Sequence, residues 1–165
     1  MTNAGTVGRL RARMKKAFKQ HFRWVGIWIG GGETQLGNPV RVRFEIKERL
    51  NGEALELAVE YCHAQTNQLL HGVVGLLGFS SDNVIRYAGY SNLHGNFMLD
   101  ATPDDPGVLA LSGNTPNGRF VSVTIVQDKE DQLMLTSHFH PIGAADDQSK
   151  QRRTVVKLSR MKLAK

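Results

Sequence analysis

The sequence is poor in cysteine and has no long apolar run, and each shortage excludes a class of protein. Its single cysteine, Cys62, cannot form an internal disulfide, which argues against a disulfide scaffold and favours a reducing compartment such as the cytoplasm. No apolar run approaches the roughly 20 residues of a membrane-spanning helix. Because 41% of its 165 residues are hydrophobic, the chain has the composition of a globular protein. We therefore expect one cytoplasmic domain.

Acidic residues are missing from both ends of the chain. Residues 1–23 and residues 150–165 carry seven Arg or Lys each. All 15 carboxylates and the other seven cations lie between them, which gives the middle a net charge of −8. If the two ends lie together, they form a basic region for an anionic membrane; the alternatives are a solvated surface or, for residues 1–23, a mitochondrial address. No nucleic-acid partner is expected, because no aromatic stacking platform accompanies the cations.

Two alternating runs predict a β-hairpin whose register can be derived. Apolar and charged residues alternate over residues 40–47, a second alternating run covers residues 55–61, and Asn51-Gly52 lies between them. Asn-Gly favours a two-residue turn, because both turn positions need φ > 0. A turn there places apolar pairs on one face and opposite charges on the other. The predicted pairs are Ile46 with Leu57, Phe44 with Val59, Val42 with Tyr61, Lys47 with Glu56 and Arg43 with Glu60.

The remaining chain indicates one helix followed by short strands. Apolar residues recur at helical spacing over residues 6–22, which predicts a basic amphipathic helix in segment 1–22. Segment 23–165 is predicted to be an all-β, antiparallel up-and-down barrel of about ten strands, because closure removes exposed edges. An open sandwich is the alternative. The strands are expected near residues 24–32, 40–49, 54–63, 69–79, 84–91, 94–100, 107–113, 119–127, 132–140 and 153–161.

The first predicted strand carries a motif of known type. It contains Gly26-Ile27-Trp28, followed by Gly30 and Gly32. Gly-x-Trp at the start of the first strand resembles the calycin superfamily of lipocalins and fatty-acid-binding proteins. The longer form is similar to nitrobindin and to bacterial calycin-like proteins. The resemblance implies a calycin-like barrel in which an Arg of the last strand, here Arg160, packs across Trp28 and closes one end beside Gly26.

The same resemblance raises a haem-binding alternative. Nitrobindin-like proteins bind haem through a His near the C-terminal end of the barrel, but residues 152–165 contain no His. Haem would then need His138 or His140 from the neighbouring strand. These two histidines share one strand face, as a chelating pair would. They lack a third His and a suitably spaced carboxylate, so no metal site is expected and no cofactor other than haem is considered.

The predicted barrel interior is the candidate site for a ligand. A barrel of this size can hold one small molecule, so we expect non-covalent binding of a mostly apolar, lipid-like ligand. Haem binding and docking on an anionic membrane are the alternatives. An enzyme is a further possibility, although no Ser–His–Asp order, phosphate loop or persuasive carboxylate pair is present. The interior candidates are Trp28, Val42, Phe44, Leu57, Val59, Tyr61, His71, Tyr90, Phe97 and His138.

Overall fold

One helix and ten strands make up the described chain. The computed structural model describes residues 4–34, 37–101, 105, 107–140 and 152–162. Helix α1 spans Ala4–Lys19 and continues into a 3-10 segment at Gln20–Trp24. The strands are β1 Gly26–Glu33, β2 Pro39–Arg49, β3 Ala54–His63, β4 Leu69–Phe79, β5 Ile85–Ser91, β6 Gly95–Ala101, β7 Val108–Asn114, β8 Phe120–Lys129, β9 Gln132–His140 and β10 Arg152–Arg160. Within these residues, no helix combines the length and apolar character needed to span a membrane.

The strands close into a barrel. Each strand pairs antiparallel with the next, and β1 also pairs with β10. The predicted antiparallel barrel with an N-terminal helix is confirmed, and the open sandwich is wrong. One boundary needs correction, because Trp24 belongs to the 3-10 segment and not to the first strand. The carbonyl of Trp24 accepts the indole N–H of Trp28 at 2.8 Å, while its own indole donates to Gln127 Oε1 at 3.0 Å.

The β2–β3 hairpin has the predicted register. All five predicted residue pairs are present across the two strands. Asn51 and Gly52 adopt φ angles of 52° and 78° at the turn, and the N–H of Glu53 donates to the carbonyl of Leu50 at 3.1 Å. Positive φ at both central positions is the reason why Asn-Gly suits this turn. The apolar side of the hairpin faces the barrel core.

The ion pairs on the outer face of this hairpin differ from the prediction. Arg43 and Lys47 both contact Glu45 of their own strand, at 3.1 and 3.2 Å. Glu56 pairs with Arg49, at 2.8 Å, instead of with Lys47. These side chains are partly exposed, and exposed ion pairs differ little in free energy. The strand register therefore does not determine which opposite charge a long side chain reaches.

Arg160 and Trp28 meet at one end of the barrel. Trp28 is fully buried, and the guanidinium carbon of Arg160 lies 4.3 Å from the centroid of its ring. The same guanidinium donates to the carbonyls of Val25 at 2.8 Å and Arg23 at 2.7 Å. A Cβ on Gly26 would lie 3.1 Å from this guanidinium, at a φ of 144° that side chains rarely adopt. The end of β10 is thus tied to the chain that precedes β1.

The C-terminal turn of the helix segment seals the same end. Phe18, His21 and Trp24 are buried, whereas the residues of Gly8–Arg13 are all exposed. Among the residues from Gly8 onward, the segment therefore packs on the barrel through its last part. The helix was predicted to continue to residue 22 on one amphipathic face. In the structure α1 ends at Lys19, and the tighter 3-10 turns bring His21 and Trp24 against the barrel.

The two basic ends meet only in part: Arg160 contacts Arg23, but the other end of β10 lies elsewhere, so the predicted single basic region is confirmed for one end of β10 and wrong for the other. Strand β10 is antiparallel to β1 and crosses the whole height of the barrel. Arg152 therefore lies at the end opposite to Arg160, far from the 3-10 segment that Arg160 contacts. The cations of residues 152–162 are spread along the barrel, because the strand that carries them spans it.

Gly30 and Gly32 allow β10 to lie close to β1, and this gives a testable prediction. A Cβ on Gly30 would lie 1.9 Å from the carbonyl oxygen of Lys157. We expect Gly30→Ala to lower the free energy of unfolding by about 3 kcal/mol or more, since β10 must shift. Gly78→Ala is the matched control, because a Cβ added at Gly78 would have no other atom within 4 Å. Urea unfolding followed by tryptophan fluorescence measures both, and equal effects would contradict the prediction.

His21 is buried at the sealed end without a hydrogen bond. Neither ring nitrogen has a partner among the described residues, and the ring centroid lies 4.5 Å from that of Trp24. Burial, with a smaller effect from the charge of Arg23, lowers the pKa of His21 from 6.5 to about 4. The imidazole is therefore neutral at pH 7. Between pH 6.5 and 4 the unfolded chain binds a proton at this residue more readily than the folded protein.

The depressed pKa of His21 predicts that the folded protein loses stability at acidic pH. The pKa of His21 is lower in the folded protein than in the unfolded chain. The contribution of neutral His21 to the free energy of unfolding is therefore complete above pH 6.5 and is lost as the pH falls toward 4. The total loss is roughly 3 kcal/mol. We expect His21→Phe to reduce the pH dependence over that range without lowering stability at pH 7, because it removes two unpaired nitrogens. Urea unfolding at stepped pH tests this. An unchanged profile in His21→Phe would contradict the prediction.

Candidate functional site

A cavity of about 70 Å³ lies inside the barrel and extends toward the end away from the helix. The cavity is partly open to solvent, so a ligand can extend beyond this volume. At that end it is bordered by His94, in the turn between β5 and β6, and by Thr115, which follows β7. Most of the wall is apolar. The polar side chains on the wall are Tyr61, His71, Tyr87, Ser91, His94, Thr115 and Ser137.

Two histidines and a serine form the centre of the polar end. His71 Nε2 lies 2.9 Å from Ser91 Oγ. The same oxygen accepts the backbone N–H groups of Leu93 at 3.1 Å and His94 at 3.3 Å. Strand β4 supplies His71, while the end of β5 and the following turn supply the others. The turn therefore holds Ser91 in place for the imidazole on the neighbouring strand.

Aromatic rings surround this polar centre. Tyr61 and His71 stack with centroids 5.7 Å apart and an interplanar angle of 16°. His94 meets the edge of His71 at 5.7 Å and packs on Phe139 at 4.8 Å. Tyr61, His94 and Phe139 line the same cavity as this polar centre. A planar or compact ligand would therefore be surrounded by ring faces and edges.

The surroundings keep the titratable wall residues uncharged at neutral pH. Burial, with a contribution from His94, lowers the pKa of His71 to about 4. Burial, with the charge of Arg119, also lowers the pKa of His94. Burial raises the pKa of Tyr61 to about 12 despite a hydrogen bond with Ser137, which acts in the opposite direction. The wall consequently offers neutral hydrogen-bonding groups.

Tyr87 is a wall residue with a structural hydrogen bond. Its hydroxyl donates to the backbone carbonyl of Leu57 at 3.0 Å, and burial raises its pKa further above its usual range. Its ring also packs against that of Phe97, with centroids 5.8 Å apart. Tyr87 thus links β5 to β3 across the interior and supplies mainly an apolar surface to the cavity.

Many of the interior residues predicted from the sequence lie at this cavity. The wall includes Phe44, Leu57, Val59, Tyr61, His71 and Phe97. Trp28 and Val42 are buried in the core outside the wall. The sequence prediction omitted Ser91, His94, Ser137 and Phe139. Strand alternation could have identified Ser137 and Phe139, because they share the inward face of β9 with Leu135. His94 lies in a turn, where no alternation indicates the direction of a side chain.

Tyr90 and His138 were wrongly assigned to the interior. Tyr90 is 53% exposed, because Tyr87 and Ser91 occupy the inward positions of β5. His138 lies between Ser137 and Phe139, which both line the cavity, and therefore projects to the outer face of β9. Both strands carry an aromatic or imidazole ring on each face. Residue type alone was therefore a misleading guide to the inward face.

The described residues do not fit a haem in the interior. His138 and His140 share the outer face, with ring centroids 6.4 Å apart, so neither projects into the barrel. Inside, His71 has its Nε2 occupied by Ser91, and a porphyrin is far larger than the cavity. We therefore derive no function through haem. In the described part of the chain, no three His, Cys, Asp or Glu side chains cluster as ligands for a metal ion.

No protein-family model matches the sequence, and no curated protein is similar to it. Among solved structures, Rv2717c from M. tuberculosis is similar over 88% of this chain and 98% of its own, with a TM-score of 0.66 and 15% identity. The S-type phycobiliprotein lyase CPES from Guillardia theta is similar over 94% and 98%, with a TM-score of 0.56 and 13% identity. The chain shares their fold. At these identities the likeness concerns the fold alone.

Proposed function

We propose that the protein binds one small, mostly apolar ligand non-covalently inside the barrel. The observation that carries this proposal is an apolar cavity with a few neutral polar groups gathered at one end. An empty cavity of about 70 Å³ costs on the order of 2 kcal/mol of stability. A ligand that fills the cavity would recover the lost contacts. The proposal includes no cofactor and no catalytic step, and the similar solved structures support its architecture without indicating a ligand.

A cavity-filling substitution tests this proposal. Val123 lines the cavity, while Thr124, the next residue of β8, belongs to the opposite face. We expect ethylbenzene to shift the amide NMR signals of wall residues saturably in the wild type and in Thr124→Phe. In Val123→Phe its affinity should fall at least tenfold, because the added ring occupies the space.

Two outcomes of the ethylbenzene experiment would count against binding inside the barrel. Unchanged ethylbenzene affinity in Val123→Phe, or no saturable binding to the wild type, would contradict the proposal. Circular dichroism checks that each variant is folded. If Val123→Phe does not fold, Val59→Phe fills the same cavity from β3.

The exposed part of helix α1 supports a second candidate function, docking on an anionic membrane. Every residue of Gly8–Arg13 is exposed, and Leu10, at 56% exposure, lies between two arginines. Lys15, by contrast, contacts Glu53 at 2.9 Å. Each basic residue near an anionic membrane contributes about 1 kcal/mol. The three arginines of Gly8–Arg13 would then strengthen binding about 100-fold.

Vesicle co-sedimentation tests the second candidate. The test variant carries Arg9→Ala, Arg11→Ala and Arg13→Ala together. The probe is a vesicle of phosphatidylcholine with 30% phosphatidylserine, which is roughly one anionic lipid in three. We expect the partition coefficient to fall about 100-fold at low salt.

A matched triple variant controls for net charge. Arg41, Arg119 and Arg152 are exposed at or near the opposite end of the barrel, and their replacement by Ala should have little effect. Equal losses in both triple variants, or equal binding to vesicles without phosphatidylserine, would exclude docking through α1.

A further inference from the structure

We infer that the cavity selects ligands whose polar group is an uncharged hydrogen-bond acceptor, such as a ketone, ester or amide carbonyl, and rejects carboxylates. This inference rests on the proposed function and names the class of its ligand. It is carried by the hydrogen-bond capacity of Ser91, by the unpaired nitrogen atoms of two histidines and by the charge of the cavity wall.

The hydroxyl of Ser91 determines which nitrogen of His71 carries the proton. A hydroxyl has one hydrogen and two lone pairs. Ser91 Oγ already accepts the N–H groups of Leu93 and His94, at 3.1 and 3.3 Å, and these two donors use both lone pairs. Its remaining contact, to His71 Nε2 at 2.9 Å, must then use the hydroxyl hydrogen. His71 Nε2 is the acceptor in this bond.

The proton of neutral His71 therefore lies on Nδ1. Among the described residues, no hydrogen bond from this N–H is present, although the residue lines the cavity. Protonating Nε2 as well would place a third donor on Ser91 Oγ, which has no lone pair left. The geometry thus favours a neutral imidazole that presents one fixed N–H donor and lacks an acceptor.

His94 provides a second unpaired polar atom at the same end. Its Nδ1 is buried and has no hydrogen-bond partner among the described residues. Its ring is held between the edge of His71 and the face of Phe139, so it cannot turn outward without losing both contacts. Buried polar atoms in native proteins nearly always have a partner. A ligand carbonyl, which has two lone pairs, can accept from His71 and also from His94 in the tautomer that carries its proton on Nδ1.

The described part of the wall holds no positive charge for an anionic ligand. Among the described residues that line the cavity, none is Lys or Arg. Arg119 acts on His94 electrostatically but is itself exposed and outside the wall. A carboxylate entering the cavity would lose its hydration without gaining a counter-ion, which is strongly unfavourable. A carbonyl gains the N–H bond of His71 without that penalty.

Three probes that differ at one group test the inference. Acetophenone carries a neutral acceptor, ethylbenzene lacks it, and benzoate replaces it with a charge. At pH 7.5 we expect acetophenone to bind about 2- to 12-fold more tightly than ethylbenzene, as one added hydrogen bond implies. Benzoate should show no saturable binding at concentrations that saturate ethylbenzene. Equal affinities of acetophenone and ethylbenzene, or tightest binding of benzoate, would overturn the inference.

A matched pair of variants assigns the preference to His71. His71→Phe keeps a ring beside Tyr61 and removes the N–H, so the ratio of acetophenone affinity to ethylbenzene affinity should fall to one or below, because the carbonyl then has no donor. His138→Phe, on the outer face of β9, should keep the full preference. A preference that persists in His71→Phe would overturn the assignment.

Nitrogen NMR of the wild type keeps the test independent of variant folding. We expect a protonated Nδ1 and an unprotonated Nε2 in His71 at pH 7.5, and a shift of the Nδ1–H signal with acetophenone but not with ethylbenzene. A proton on Nε2 would overturn the inference. If no probe binds at all, the proposed function itself fails; if ethylbenzene binds as tightly as acetophenone, only the ligand class fails.

Discussion

The contact between Arg160 and Trp28 is the constraint on which the rest of the barrel depends. The guanidinium lies 4.3 Å from the ring centroid and donates to two backbone carbonyls of the segment before β1. A desolvated cation–π contact is worth about 2 kcal/mol, and each charge-assisted hydrogen bond adds to it. This contact joins the last strand to the chain that enters the first, so neither β1 nor β10 remains an edge. Once this end is closed and packed, the remaining interior space lies toward the opposite end.

Two buried histidines show why a depressed pKa does not by itself identify a site. His21 and His71 both have a pKa of about 4, because burial disfavours the charged ring. His21 is buried beside Trp24 and is not among the described residues that line the cavity. His71 lines the cavity and is oriented by Ser91. Burial of His21 without a hydrogen bond lowers the stability of the sealed end. His71 can offset the cost of its burial by forming a hydrogen bond with a ligand.

The sequence predicts strands better than it predicts the site, for physical reasons. Alternation and Asn51-Gly52 determine the β2–β3 register, because a slip by one residue would reverse both faces. The pairing of Trp28 with Arg160 followed from the resemblance and not from periodicity. The polar end of the cavity joins β3, β4, the β5–β6 turn and β9, so its members are adjacent only in three dimensions. Tyr90 and His138 were misplaced because an aromatic ring is not an inward signal when both faces of a strand carry one.

Charged side chains lie on the outside of this protein, while the described cavity wall is uncharged. The proposed membrane docking and the proposed ligand binding therefore depend on different interactions. The chain has 21 Lys and Arg, yet the described residues of the cavity wall include none. External cations can attract an anionic surface at long range and accelerate encounter, an effect that salt screens. Inside the barrel, the described wall offers neutral imidazole, hydroxyl and phenol groups and no counter-ion in direct contact with an anion. The interior should therefore distinguish ligands by hydrogen bonding and shape, while any effect of ionic strength on binding should come from the exterior.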